Sequence, residues 1–323
     1  MSICDFLFSA DMLVSEPRTA VAQLIESIGL PPPGPRAYVD FEDSGWDCVF
    51  ALVNKDWAVG PTRLEVIGPK RYSGTPEKSR GQSMADVQGE KPCKTHATVI
   101  ATSEIGRLAE HVARLGLRHW LEEEGEDGVP FTRLWMGVSE ADPCDYQPEA
   151  DAGLIVEVIP SDSSAFSPKL FQTPPPEPVD PEAGQMIRIL SRAFLVDDLD
   201  ATLRILERNL LWEPSGTVVE DRGAGYRFAL LSRDYAQGAA LKLVEPLDPD
   251  RPEGAFLARW GPSPFTIRIA VHDLAAKRED LKARGTAFDE RPATAHEPER
   301  LAIDLRFTAS VPFELVEYGD VRG

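Results

Sequence analysis

The stretch Arg188-Ile-Leu-Ser-Arg-Ala-Phe-Leu-Val-Asp-Asp-Leu-Asp200 decides which fold the sequence predicts. Its apolar residues run into Val196 as a strand, and the acidic residues that follow predict the start of a helix. An Asp side chain there accepts hydrogen bonds from free backbone N–H groups of the first helical turn. Residues 201–210 continue with apolar side chains at helical spacing. Turn residues then separate three strand-like runs, at 216–221, 226–232 and 239–245, so the element order is βαβββ.

Comparable patterns recur three more times along the chain. The first unit predicts a strand at 6–14, a helix at 17–28 and strands at 38–41, 48–54 and 63–67. The second unit predicts a strand at 96–101, a helix at 104–115 and later strands at 131–138 and 153–159. The fourth unit predicts a strand at 265–271, a helix at 274–284 and later strands at 301–307 and 312–317. The chain therefore reads as one supersecondary unit repeated four times.

The last strand of every unit also ends in a similar way, with an acidic or basic residue among apolar ones. These endings lie at 64–69, 156–160, 241–246 and 313–317. Four such units in two pairs resemble the glyoxalase/bleomycin resistance/extradiol dioxygenase superfamily, also known as the vicinal oxygen chelate superfamily. The resemblance covers nearly the whole chain, and residues 194–203 are its most specific stretch.

The resemblance implies an α+β fold of four βαβββ modules, paired into two glyoxalase-like domains with curled mixed sheets. We expect the domains at 1–160 and 188–323, joined by a proline-rich, semi-rigid linker at 161–187. The polar, glycine-rich stretch 68–94 is interpreted as a disordered or plain connection, with a lid over a site as the alternative.

In the superfamily, metal ligands lie on the first and last strands of the units and face a cavity. The resemblance places Glu65, His96 and Glu157 at such positions in the N-terminal domain. One imidazole and two carboxylates suit a divalent ion such as Zn, Fe, Mn, Ni or Co. The fourth position is Ser9, a poor ligand that leaves room for water or substrate. A structural histidine and solvated glutamates are the alternative interpretation of these residues.

The matching positions in the C-terminal domain are Ser191, Lys242, Thr266 and Glu314, and we expect no metal there. An ion pair between Lys242 and Glu314 is the favoured interpretation, because a buried lysine needs a carboxylate partner. Binding of an anionic substrate by Lys242 is the alternative. The N-terminal domain also holds several tryptophans that line a cavity or pack in the core, namely Trp46, Trp57, Trp120 and Trp135.

These residues favour a metal-dependent lyase or isomerase acting on a small, aromatic or apolar, oxygenated molecule. Glu65 and Glu157 are the candidate catalytic residues, because a loosely bound glutamate shuttles protons. Extradiol cleavage of the usual type is disfavoured, since the superfamily's C-terminal iron ligands are replaced here. Two alternatives stay open: a metal-free protein that sequesters small molecules, and a dioxygenase using the N-terminal metal.

Charge and composition predict which partners and which cellular compartment to expect. The 323 residues carry a net charge of −19, which disfavours nucleic acid as a partner. No apolar run approaches the ~20 residues of a membrane span, and the start of the chain does not resemble a signal peptide. Four widely spaced cysteines are typical of free thiols in a reducing compartment. We therefore expect a cytoplasmic protein, either a monomer or a homodimer.

Overall fold

A computed structural model of the chain describes residues 2–41, 45–54, 62–69, 85–123, 132–142, 145–161, 182, 184–232 and 238–321. In these ranges no helix is long and apolar enough to cross a membrane. Most of the expected linker at 161–187 and much of the 68–94 stretch lie outside the described residues, so both interpretations stay predictions. The last two residues of the expected linker belong to a strand that begins at Met186.

The N-terminal half forms two modules of the same topology. Module 1 comprises β1 (Phe6–Leu7), β2 (Ser9–Leu13), α1 (Pro17–Ile28), β3 (Tyr38–Phe41), β4 (Trp46–Ala51) and β5 (Arg63–Pro69). Module 2 comprises β6 (Thr98–Thr102), α2 (Ile105–Arg114), β7 (His119–Glu122), β8 (Arg133–Met136) and β9 (Val156–Pro160). Their sheets run β2-β5-β4-β3 and β6-β9-β8-β7, and β1 adds to the second sheet by pairing antiparallel with β6.

The C-terminal half repeats this arrangement in one continuous sheet. Module 3 comprises β10 (Met186–Leu195), α3 (Leu199–Leu210), β11 (Val219–Asp221), β12 (Tyr226–Leu231) and β13 (Ala240–Pro246). After α4 (Pro252–Trp260), module 4 comprises β14 (Ser263–Val271), α5 (Leu274–Ala283), β15 (Phe288–Arg291), β16 (Arg300–Ile303) and β17 (Phe313–Glu317). The order β11-β12-β13-β10-β14-β17-β16-β15 joins the two modules through antiparallel pairing of their first strands.

In each module the strand that directly precedes the helix pairs parallel with the last strand, and the remaining strands follow antiparallel. The predicted fold class of four paired βαβββ modules is therefore confirmed. The predicted helix at 17–28 has the observed bounds, whereas α4 and the short strands β7 and β15 were not predicted. Both short strands carry half-buried or exposed side chains, so they lack the apolar pattern that marks the other strands.

The expected helix start in module 3 is also present. Asp198 precedes α3, and its carboxylate accepts a hydrogen bond of 2.8 Å from the backbone N–H of Ala201. Asp273 precedes α5 in the same way, and its carboxylate accepts a hydrogen bond from the backbone N–H of Ala276. These side chains satisfy N–H groups that have no partner within the helix, and each such cap stabilises by about 1 kcal/mol.

The two halves pack crosswise, with α1 of module 1 against module 4. The carbonyl oxygens at the end of α1 receive side chains from the region of α5: Lys277 Nζ donates to Ile28 O at 2.7 Å and Thr286 Oγ1 to Ser27 O at 2.6 Å. A cation at a helix C-terminus also complements the helix dipole. These contacts tie the last turn of α1 to the C-terminal half.

Replacing Lys277 with Met is expected to lower the free energy of unfolding by about 1–3 kcal/mol, because a buried carbonyl oxygen loses its donor. The Lys277 side chain is only 3% exposed, so water cannot easily replace the ammonium. Urea denaturation measures the change. Lys282→Met on the same helix is the matched control, since Lys282 is 55% exposed and should change stability by less than about 0.5 kcal/mol. Equal effects in both variants would contradict this role.

Candidate metal centre in the N-terminal half

Strand register brings acidic side chains to one face of module 1. Asp11 of β2 lies directly opposite Glu65 of β5 in the parallel pair. Residues opposite each other in a ladder project to the same face, so the two carboxylates approach each other. In module 2, Glu157 takes the equivalent position on β9, opposite Val99 of β6. His96 lies two residues before β6 begins.

His96 is the centre of the resulting cluster. Its Nδ1 lies 2.5 Å from Asp11 Oδ2, and its Nε2 lies 3.5 Å from Glu157 Oε2 and 4.0 Å from Glu65 Oε1. One potential ligand atom from each of Asp11, Glu65 and His96 lies within 4.8 Å of the other two. All four side chains are buried, with residue exposures of 6% or less.

The structure brings together the three residues that the sequence proposed as ligands, Glu65, His96 and Glu157, and adds Asp11, which the sequence analysis missed. The expected fourth position, Ser9, instead donates a hydrogen bond to Asp11 Oδ1. Asp11 lies two residues beyond Ser9 and therefore on the same face of β2. This period-two relation was the available signal for Asp11.

The placement of His96 rests on a local irregularity rather than on the repeat. Ladder pairing makes Ala97, not His96, the counterpart of Ser9, because Asp11 and Val99 both face a glutamate of the last strand. His96 precedes the strand, where the backbone is a bend and strict alternation no longer applies. Its ring therefore reaches the face that an in-strand residue at 96 would avoid.

Crowding of carboxylates sets the electrostatics of the cluster. Burial, followed by the negative charge of Asp11, raises the pKa of Glu65 to about 8. Burial acts to lower the pKa of His96, but Asp11 and Glu65 outweigh it and hold that pKa well above its usual value. Burial and Glu65 likewise raise the pKa of Cys48, whose thiol donates to Glu65 Oε1 at 3.6 Å. Positive charge is thus stabilised at this point.

The donor set fits a divalent cation. Asp11 Oδ2 and His96 Nδ1 are fully shielded, yet neither has a hydrogen bond of acceptable geometry within the described residues, despite their close approach. Buried polar atoms normally have such a partner. A bound cation would give both of these atoms a partner, and further carboxylates lie beside them to complete the ligand set.

Aromatic and basic side chains surround the cluster. Trp46 and Trp135 meet the His96 ring edge-on, with ring centroids 5.6 Å and 6.4 Å away. Arg133 lies with Nη1 3.9 Å from Glu157 Oε1 and also binds Glu122. Trp120 is half-buried against the apolar group that includes Trp46 and Trp135. Trp57 lies outside the described residues. The tryptophans at 46 and 135 are thus both core residues and part of the wall around His96.

In the C-terminal half, the corresponding positions hold a salt-bridge network. Lys242 pairs with Glu297, whereas Glu314 binds Arg268 at 2.7 Å and Arg300 at 3.1 Å. The predicted ion pair between Lys242 and Glu314 was therefore wrong, because Lys242 pairs with Glu297 instead. Glu297 belongs to the loop between β15 and β16, and folding brings it over the sheet to Lys242.

One solved structure that matches nearly the whole chain agrees with this architecture. No protein-family model matches the sequence, and no curated protein matches it. A variant of 4-hydroxymandelate synthase from Streptomyces coelicolor has the same fold, with a TM-score of 0.57 and 13% identity over 97% of this chain and 92% of that one. Methylmalonyl-CoA epimerase from Mycobacterium tuberculosis matches 43% of this chain and 92% of its own, with 22% identity and a TM-score of 0.38. The protein therefore has the paired βαβββ fold of the vicinal oxygen chelate (glyoxalase/bleomycin resistance/dioxygenase) superfamily.

Proposed function

We propose that the protein is a divalent-metal-dependent enzyme that performs lyase or isomerase chemistry on a small oxygenated organic molecule. The observation that carries the proposal is the buried cluster of Asp11, Glu65 and His96, whose potential ligand atoms lie within 4.8 Å of one another. Clustered, buried, strongly perturbed titratable groups are typical of functional sites.

Asp11, Glu65 and His96 are the proposed ligands of the ion. Relative to the set Glu65, His96 and Glu157 predicted from sequence, Asp11 replaces Glu157. When bound, the ion supplies a Lewis acid that stabilises negative charge on substrate oxygens. Zn, Fe, Mn, Ni and Co all accept such oxygen and nitrogen donors.

Glu157 is then the proposed proton carrier. It lies beside the ligand set, with Oε2 3.5 Å from His96 Nε2, and its other oxygen faces Arg133. Arg133 also binds Glu122, which accepts a further hydrogen bond from Trp135 Nε1 at 3.2 Å. This chain of contacts orients the Glu157 carboxylate toward the cluster. A carboxylate so positioned can take a proton from substrate and return it.

The surroundings favour an uncharged or weakly charged substrate. Three buried carboxylates disfavour an approaching anion, while Trp46 and Trp135 offer apolar surface beside His96. A small molecule with two neighbouring oxygens and an aromatic or apolar body meets both conditions.

Glu157→Gln is expected to keep the metal but to slow proton exchange by about 100-fold or more, the usual contribution of a general base. NMR can follow deuterium uptake from D₂O at the α-carbon of a panel of α-hydroxyketones incubated with metal-loaded protein. Glu104→Gln is the matched control, because Glu104 lies in the same module but pairs with Arg107 at the start of α2. A variant at position 157 that exchanges protons as fast as the parent protein would exclude Glu157 as the carrier.

Sequestration of an apolar molecule without metal is the second candidate, favoured by the two tryptophans beside His96. Elemental analysis of untagged protein separates the alternatives. Near-stoichiometric metal supports the enzyme, and no metal after reconstitution supports sequestration. Oxygen consumption by iron-loaded protein would instead identify a dioxygenase.

A further inference from the structure

The C-terminal half contains a second polar cavity at the position equivalent to the metal centre. It has a volume of about 20 Å³, enough for one water-sized particle. The side chains that define it include Ser191 of β10, Thr266 of β14 and Lys242 of β13. Ser191 and Thr266 are the counterparts of Ser9 in their modules, since each lies two residues before the residue opposite Lys242 or Glu314.

Two hydroxyl groups in this cavity have unused hydrogen-bonding capacity. Ser191 is 3% exposed and Thr266 is 8% exposed. Both side chains line the cavity, and within the described residues neither hydroxyl is seen in a hydrogen bond, so each is available to a particle in the cavity. Both can donate a proton to a particle in the cavity.

Two cations, Lys242 and Arg268, and two carboxylates, Glu253 and Glu314, line the cavity. Among the described residues, the salt-bridge network that extends from them contains one more cation than carboxylates. Four cations take part in the network, Lys242, Arg268, Arg291 and Arg300. They meet three carboxylates, Glu253, Glu297 and Glu314. Burial and Arg268 lower the pKa of Lys242 to about 8, as expected where positive charge is in excess.

We propose that this cavity binds a small monovalent anion, of the size of chloride, between the hydroxyls of Ser191 and Thr266 and the cations Lys242 and Arg268. The anion supplies the missing hydrogen-bond acceptor and neutralises the excess charge. Glu253 and Glu314 also line the cavity, but cations of the network bind both carboxylates. The small volume selects a single-atom anion or one carboxylate oxygen over larger anions.

Anion-dependent thermal unfolding of the full-length protein tests the proposal. Chloride and bromide are expected to raise the melting temperature by roughly 2–4 °C relative to gluconate at equal ionic strength, because gluconate is too large for the cavity. Formate distinguishes the source: stabilisation by formate alone assigns the site to a carboxylate group, and stabilisation by the halides assigns it to a free halide. Either result supports an anion site.

Variants locate the effect. Thr266→Val and Ser191→Ala keep the packing and should each abolish most of the anion-dependent shift. Ser27→Ala is the control, since Ser27 is equally buried but donates to Phe307 O outside the cavity. Crystals soaked in bromide should show an anomalous peak beside both hydroxyls. A water molecule in place of that peak, or an anion response that survives both cavity variants, would overturn the proposal.

Discussion

His96→Ala is expected to weaken binding of the divalent ion by at least about 100-fold. Removing a residue that only hydrogen-bonds to a metal ligand typically lowers metal affinity by about 10–100-fold. Losing a nitrogen ligand at the centre of the cluster should lower the affinity by at least as much. The remaining carboxylates, Asp11 and Glu65, would bind the ion without the group that lies between them. Elemental analysis of untagged protein, followed by competition with a chelator, measures the change.

His111→Ala is the control for this prediction. His111 lies on α2 and hydrogen-bonds Arg208 O at 2.8 Å, away from the cluster. Asp11→Asn should lose the ion as His96→Ala does, whereas Glu157→Gln should retain it. Full metal content in His96→Ala would contradict the site, and loss in Glu157→Gln alone would favour the ligand set expected from sequence.

Glu297→Gln is expected to lower the free energy of unfolding by about 3–5 kcal/mol, the usual cost of removing one member of a buried ion pair. Glu297 is 3% exposed and binds both Lys242 and Arg268, so the variant leaves the buried Lys242 without its carboxylate partner and leaves Arg268 with Glu314 alone. Urea denaturation measures the loss. Glu299→Gln is the control, because Glu299 is 48% exposed and its pair with Arg278 should contribute less than about 1 kcal/mol. Similar losses in both variants would contradict a special role for Glu297.

The same network sets the expected pH dependence of stability. Arg268 and Arg300 overcome the effect of burial and hold the pKa of Glu314 at about 2, below its usual value of 4.5. The folded carboxylate thus holds its proton less tightly than the unfolded one, so its contribution is complete above pH 4.5 and is lost as pH falls toward 2. Thermal unfolding should therefore show a steep loss of stability over that interval. Glu314→Gln should flatten this loss.

Local patterns in the sequence account for most of the modules. The helix at 17–28 was predicted with its observed bounds, because Pro17 suits a first turn and Gly29 ends the helix at a φ of +70°. The strand endings that contain Glu65 and Glu157 were also placed on the last strands. Hydrophobic spacing and capping residues act within a few positions, so the sequence displays them directly.

The candidate site was only partly predictable, since its members come from segments whose alignment is set by pairing. Asp11 was missed because the expected position on β2 was displaced by two residues along the same face. The ladder makes Ala97 the counterpart of Ser9, and only the bend before β6 brings the His96 ring to the cluster. A displacement of one residue in a strand reverses the face of its side chain, so small errors of alignment change a ligand set.

The apolar periodicity, helix caps and turn residues of this chain were sufficient to predict four βαβββ units. The acidic residues at the strand endings were sufficient to predict a candidate metal centre. Tertiary structure alone decided that Asp11 completes the cluster and that Lys242 pairs with Glu297, a residue 55 positions away, rather than with Glu314. Periodicity arises from neighbours along the backbone, which every stretch of sequence contains. Partners across modules depend on ladder register, bends and loops that bring distant segments together, and buried charges pair with whichever counter-charge those segments supply.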